Sequence, residues 1–558
     1  MTRIVTKPVM CESLLRFFLG TFLCVIPYLS ALAEDYTEMH DGELNIQYIE
    51  LEGNAFYPEY GLTQDVVKQH LKALHTTLGH KLKMKDIHNI ADSVTLLYQE
   101  KGLTFHRVYV VPQEIKNSSL KLYVLKGKLA EIIIHNNSLY SKEQLLAPFK
   151  ALIGQTIYEP YLKDAASKLS AKPGLKVFSY FSIGNKQGET RLNIRVLEES
   201  SSDTSISFDN YGVKQTGHNR FSLVHSRNNP FNQSGRLNVS LLSTNKSNNL
   251  FGKTNYELPI FERHSLGFSV LRSAFAVSGQ FDAFGLDGKL DALNIYWGIG
   301  TKIEDNASST NAYQLSLSAK RSKIKSELFP EFLSSKVNYI QLSSAYQLAS
   351  TNHKLDEIRH SFSFLPSVIH IQDSDNTMLA TNILLSRAYY QMLIPNWWSS
   401  LTTNHFLRAK LNGQWSSETL PSSEQYLATG ANVNRGFEPG LFSGDWGMNL
   451  SIEQNFSSDE WFTLFTNTSI HPFIFVDLSV GKLKEGNGSS NFNSIGLGLN
   501  TGRRSSKEAF GLFKDSIFKF EDIQSSISIG YPLDYKLSEQ ANELDDKLTI
   551  YANLNLAL

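Results

Sequence analysis

Cysteine is nearly absent from this 558-residue sequence: its two copies, Cys11 and Cys24, both fall within the first 24 positions. Disulfides and thiol chemistry are thereby excluded for the remaining chain, whatever its redox compartment. Charge of one sign is also lacking. Lys and Arg number 53 against 54 Asp and Glu, for a net charge of -1 and an isoelectric point near 7.0. No global field therefore points to nucleic acid or to a strongly charged partner. Past the N-terminal stretch no run of about 18 apolar residues occurs, so no transmembrane helix is expected. A spanning strand needs only about 10 residues of alternating character, however, and a mean hydropathy of -0.23 can hide a whole barrel. The strings G-x-S-x-G, H-E-x-x-H and the P-loop are missing too, and neither an enzyme nor a metal or other cofactor is expected. His70, His75 and His80 scatter around a helix at intervals of five and read as surface histidines.

What is present begins with a secretory signal over residues 1–33. Arg3, Lys7 and Arg16 give a basic start, Phe17 to Ser30 an apolar core, and Ala31-Leu32-Ala33 a cleavage site. Residues 34–45 read as a short linker. Residues 46–128 then run strand, helix, helix, strand, strand. Ile46 to Leu51 is a strand, Thr63 caps a helix bearing Val66, Val67, Leu71 and Leu74, and Ile87, Ile90, Ala91, Val94, Leu97 and Tyr98 line a second helix that Gly102 stops. Strands at Phe105 to Val111 and Leu120 to Leu125 follow. Residues 129–200 repeat that order, with helices at Lys142 to Lys150 and Tyr161 to Ser170 and a hairpin of Val177 to Ile183 with Arg191 to Leu197.

From 201 to 558 the period changes to two. Leu266, Phe268 and Val270 alternate with polar neighbours, as do Tyr313, Leu315 and Leu317 with Gln314, Ser316 and Ser318, and Leu548 to Leu558 with Thr549, Tyr551, Asn553 and Asn555. The polar face is mostly uncharged Ser, Thr, Asn and Gln, and the pattern persists without helices for longer than one sandwich core organises. Lipid requires every backbone group to be paired within a closed barrel, which a hydrated lumen permits on its inner face. At about 22 residues per strand and connection, this stretch predicts a transmembrane antiparallel β-barrel of about 16 strands.

Two short strings supply charges for its interior. In His471 to Gly481, Ile474, Val476, Leu478 and Val480 share one face, and Phe475, Asp477 and Ser479 the other, which puts Asp477 in the lumen. A buried carboxylate needs a cation, and Arg435 of Arg435-Gly436-Phe437, on a loop folded inward near 428–446, offers a bidentate one. Gly496 and Gly498 fall on the inward face of Ser494 to Asn500 and are expected to leave the loop room to pack.

Together these residues resemble the TpsB transporters of two-partner secretion, the haemolysin-activator branch of the Omp85 superfamily. Tyr98 to Gly102, Val110 to Gln113 and Leu120 to Gly127 are similar to that family's first POTRA domain, and residues 129–200 sit where its second would. Asn210-Tyr211-Gly212 with Thr216-Gly217 and Arg220 is similar to its opening barrel strands, and Tyr256 to Pro259 to a later strand end. Arg435-Gly436-Phe437 followed by Gly444-Asp445 resembles the tip of the inward loop six. Phe475-Val476-Asp477 matches its F-x-D strand motif, and Gly496-Leu497-Gly498 a glycine pair near it. Three departures stand out. Asn434 replaces the usual valine, so the tip is expected to pack differently; Leu558 replaces a terminal phenylalanine; and the linker is too short for an N-terminal plug helix.

The resemblance implies two small α+β POTRA-like domains in the periplasm followed by an outer-membrane barrel. It implies export of a large exoprotein, a haemolysin or adhesin, without nucleotide hydrolysis. The unfolded exoprotein would add by β-augmentation to a POTRA edge such as Phe105 to Val111 or Val177 to Ile183. Arg435, Gly436, Phe437, Phe475 and Asp477 would form a loop–barrel gating contact. Outer-membrane lipid and the barrel-assembly machinery are the other partners, no nucleic acid is expected, and the protein is expected to be a monomer. The alternative is an Omp85-type factor that assembles other outer-membrane proteins, which usually carries more than two POTRA units.

Overall fold

The computed structural model describes residues 42–558 apart from 54, 247–248, 262, 303–307, 353–357, 376–378, 396–404, 457–467, 487, 505–521 and 538–546. The signal at 1–33 and most of the 34–45 linker lie outside the described residues. The chain forms two compact units that divide after Glu199.

The first unit opens with β1 (Leu44–Asn45), β2 (Tyr48–Glu52), α1 (Gln64–Leu78), β3 (Lys81–Leu82), α2 (Met84–Glu100), β4 (Arg107–Val110) and β5 (Ser119–Leu125). Leu44 and Asn45, expected in the linker, pair instead with β3, because Leu44 packs on the apolar core beside the fully buried Ile46. Thr63 Oγ1 accepts the Val66 N–H at the start of α1. On α2 the buried Ile87, Ile90, Ala91, Val94 and Tyr98 form one stripe at helical spacing. The sheet has the order β2-β5-β4, with β2 parallel to β5 and β4 antiparallel to it.

The same plan recurs in β6 (Lys128–His135), α3 (Lys142–Leu146), α4 (Glu159–Ser170), β7 (Leu175–Ile183) and β8 (Glu189–Glu199). Here the sheet order is β6-β8-β7, with β6 parallel to β8. The single helix expected over 142–150 is split. It leaves α geometry at Leu146 and continues as a 3-10 turn over Ala147–Leu152, since Pro148 has no N–H to donate. The two α+β halves are fastened by Tyr158, whose ring stacks on Tyr60 at 3.9 Å, and by the Glu159 N–H, which donates to the Gly102 carbonyl at 2.8 Å. Gly102 has φ +83°, and a Cβ there would strike the Tyr158 ring, so both its conformation and its neighbour require glycine. The three conspicuous histidines have structural partners: His70 bonds Ser93 Oγ, while His75 and His80 both reach the Ile46 carbonyl.

The second unit contains β9 (Ser202–Asp209), β10 (Arg220–Asn228), β11 (Arg236–Thr244), β12 (Leu250–Phe261), β13 (His264–Ala276), β14 (Leu286–Lys302), β15 (Ser308–Ser326), β16 (Ser335–Asn352), β17 (Ile358–Ser374), β18 (Asn382–Pro395) and β19 (Phe406–Ser416). The short β20 (Tyr426–Leu427) and β21 (Ser443–Gly444) pair with each other. Then follow β22 (Trp446–Asn455), β23 (Thr468–Lys482), β24 (Ser489–Arg504), β25 (Asp522–Lys536) and β26 (Thr549–Ala557). All but β20 and β21 join in sequence order into a closed barrel of 16 antiparallel strands, as the alternation predicts. Leu315, Leu317, Ile474 and Leu497 project outward, while Ser318, Gln341, Ser367 and Gln414 are buried on the inner side.

The closing ladder, β26 to β9, pairs only five residues, from Asn553↔Asp209 to Ala557↔Ser205. The Asn210 side chain prolongs it by donating to the Ile550 carbonyl and accepting the Ala552 N–H, each at 2.8 Å. Residues 417–445, the sixth connection at the end opposite the start of β9, fold back into the barrel. The inward loop therefore begins earlier than the expected 428 and ends before Trp446, which already belongs to β22.

Candidate loop–barrel gating contact

A tight turn presents the loop tip. Gly430 takes φ +122°, and its N–H and carbonyl bond the carbonyl and N–H of Asn434, so the chain reverses just before Arg435. Asp477 comes from the inward face of β23 and is fully buried. Arg435 Nε donates to Asp477 Oδ2 at 2.8 Å and its Nη2 to Oδ1 at 3.0 Å, a bidentate pair reinforced by the Arg435 backbone N–H at 3.0 Å. The guanidinium carbon lies 3.6 Å from the centre of the Phe475 ring.

A second carboxylate completes the site. Arg435 Nη1 donates to Glu453 Oε2 on β22 at 2.7 Å, and Arg408 on β19 takes the other Glu453 oxygen at 3.2 Å. Two guanidinium groups thus meet two carboxylates, with Lys410 close by, and the pairing offsets the cost of burying these charges. Nothing in the sequence singled out Glu453. Only the register, which sets it opposite Phe475 and next to the Ser451↔Asp477 pair, brings it to the arginine.

Around this charge set the tip is held by neutral bonds to three strands, β23, β24 and β26. The buried Asn434 side chain donates to Ser479 Oγ and to the Phe492 carbonyl, and accepts from Ser494 Oγ at 2.6 Å. The unusual residue before Arg435 is therefore a saturated polar rivet. Gly436 donates to Ser494 Oγ and accepts from Thr549 Oγ1, and Tyr551 Oη donates to the Phe437 carbonyl at 2.6 Å. The Phe437 ring meets Phe492 edge-on at 5.2 Å. Asp445 closes the loop base by accepting the N–H groups of Leu420 and Lys484.

The wall glycines act differently from expectation. The space above Gly496 and Gly498 is filled by the rings of Phe475 and Phe473, their cross-strand partners, and not by the loop. The glycines therefore bed the ring on which the guanidinium rests. Close approach of the loop depends on Gly530 of β25, where a Cβ would collide with the Arg435 carbonyl, and on Gly436, where one would collide with Ser494. Gly530 is one of 35 glycines and carried no mark in the sequence.

A closed barrel of this size, with an inward loop and two α+β units before it, defines an outer-membrane transporter with periplasmic POTRA domains. Residues 44–127 match the POTRA domain of ShlB type. Residues 188–326 and 381–501 match the haemolysin secretion/activation protein ShlB/FhaC/HecB. The chain belongs to that family, the TpsB transporters of two-partner secretion, a family of transporters and not of enzymes. The heme/hemopexin transporter protein HuxB of Haemophilus influenzae (strain 86-028NP) is 23% identical over 467 residues, 78% of each chain. CdiB from Escherichia coli has the same fold, with 17% identity, a TM-score of 0.64, and coverage of 94% of this chain and 92% of that one. So has BamA from Haemophilus ducreyi lacking POTRA domains 1-3, at 13% identity and a TM-score of 0.54 over 92% and 100% of the two chains.

Proposed function

We propose that this transporter exports one large exoprotein across the outer membrane without nucleotide hydrolysis, and that the Arg435–Asp477 contact sets the position of loop six during export. The observation that carries this reading is the loop tip riveted inside the lumen by a buried, charge-balanced arginine. A passive pore has no use for such a fastening or for two periplasmic domains. Arg435, Gly436, Phe437, Phe475 and Asp477 hold and release the loop; they carry out no covalent chemistry.

The POTRA pair receives the unfolded exoprotein, and β7 is the edge best suited to it. β7 offers nine residues at the margin of its sheet, whereas β4 offers four and has its Val108 N–H already donated to Thr95 Oγ1 on α2. Deleting the gene tests the reading: a single large protein is expected to vanish from the secreted fraction. Unchanged secretion with an altered set of outer-membrane proteins would replace it with the assembly-factor reading.

A further inference from the structure

The loop is fastened at a second place that no motif marks. Glu424 lies in the 3-10 turn Ser422–Glu424, on the leg that leads from β19 to the tip, and its side chain is 4% exposed. Four strands converge on it. Lys320 on β15 donates to Oε1 at 2.5 Å, Tyr339 on β16 to the same oxygen at 2.8 Å, and Arg387 on β18 to Oε2 at 2.9 Å. Arg387 and Gln414, the latter on β19, also donate to the Glu424 carbonyl at 3.0 and 2.9 Å. Four residues upstream, Leu420 inserts among Val337, Ile369, Ile371, Ile383 and Leu385, an apolar patch on β16, β17 and β18.

None of these groups belongs to the Arg435 site, whose direct partners lie on β22 to β26; β19 alone serves both, with Gln414 at the leg and Arg408 beside Glu453. The leg is therefore bound to one stretch of wall and the tip to another. Because the leg's site holds two cations around one anion, losing the carboxylate both removes the bonds and leaves Lys320 and Arg387 to repel each other. Such a site favours the bound loop more strongly than a neutral hydrogen bond would.

We infer that Glu424 is a second positioning residue of loop six, one that holds the ascending leg on β15 to β19 independently of the Arg435 clamp. Freeing the tip then leaves the loop tethered inside the barrel, and freeing the leg leaves the tip docked. This rests on the export reading only for its consequence, that the loop can yield at one wall while the other retains it.

Thiol labelling in the full-length protein, in outer membranes, tests the anchor without any exoprotein, so it can fail while the secretion assay succeeds, and the reverse. Cysteines placed by Leu420→Cys and Ala428→Cys, both at buried positions, report on leg and tip respectively. A polar maleimide is the probe, and peptide mapping separates the reporters from Cys11 and Cys24. Glu424→Gln should speed labelling of Leu420→Cys by about tenfold or more, the factor for one lost charge-assisted bond, and leave Ala428→Cys unchanged. Asp477→Ala should do the opposite. Unchanged labelling of Leu420→Cys with Glu424→Gln, or equal acceleration at both reporters, overturns the proposal. If Glu424→Gln does not give a folded, heat-modifiable barrel, the Lys320→Met/Arg387→Met chain removes the same anchor from the wall side, with the same two readouts.

Discussion

The two units of this chain bury opposite things. In the periplasmic unit, apolar side chains go inward: Ile46, Leu62, Ile90, Val94 and Leu122 form one core, and Leu145, Phe149, Leu169 and Ile194 another. In the barrel most go outward to lipid, and around the loop, beside Phe492, Ala428 and the patch at Leu420, polar side chains are buried completely: Asn434, Asp477, Ser490 and Ser494. An apolar core tolerates small misfits by repacking, because dispersion and burial have no direction. A buried polar interior does not, because each group left unpaired carries its full desolvation penalty. Specific positioning of the loop thus comes from hydrogen bonds, and stability of the POTRA pair from apolar area.

Substitutions should break this contrast to different extents. Arg435→Ala strands the Asp477 carboxylate in the barrel, leaves Glu453 with Arg408 as its cation, and should weaken loop docking by about 3–5 kcal/mol. Export should be impaired while the barrel stays heat-modifiable, and adding Asp477→Ala should worsen it little; additive losses would argue against a shared contact. Ile90→Ala opens a cavity in the periplasmic core and should cost about 4 kcal/mol there. Hydrogen exchange should quicken in α2, with barrel amides unaffected; faster exchange in both units or in neither would dissolve the contrast.

A third change acts on a polar group inside the apolar core, His106. Burial, with Lys126 adding to it, pushes the His106 imidazole down to about 4, and its ring lies stacked on Tyr98 with Nε2 bonded to the Tyr57 hydroxyl. An unfolded chain protonates this residue near 6.5, the folded one only near 4. The periplasmic unit should therefore lose up to about 3 kcal/mol as the pH falls through that window, with nothing further lost from this group below it. His106→Phe should flatten the dependence, as read by urea unfolding at several pH values. The smallest effect is expected from Asn434→Val, about 1–2 kcal/mol in loop docking, because it removes the acceptor of the Ser494 hydroxyl and the side-chain donor to the Phe492 carbonyl. Wild-type export by that variant would show the rivet to be dispensable.

Legibility in the sequence follows the same division. Alternation with period two determines which side of a strand faces lipid, so the barrel and the inward face of Asp477 could be read from residues alone. Helical stripes and turn residues did the same for the α+β halves. Glu453, Gly530 and Glu424 could not be found this way. Each depends on strand register or on where a folded-back loop lands, and locally each looks like any other acid or glycine beside polar neighbours. The ring-bedding role of Gly496 and Gly498 was hidden for the same reason, since it follows from their pairing with Phe475 and Phe473.

The short ladder between β26 and β9 bears on how such a molecule is made. Its two partners are the first and last strands of the barrel, 340 residues apart where Asn210 grips Ile550. A chain released before Thr549 is an open sheet with two bare margins, so the cylinder forms only after translation has passed its final strand. Closure is then a check on completeness, and Asn210 is where an early stop codon or a trimmed tail would first be felt.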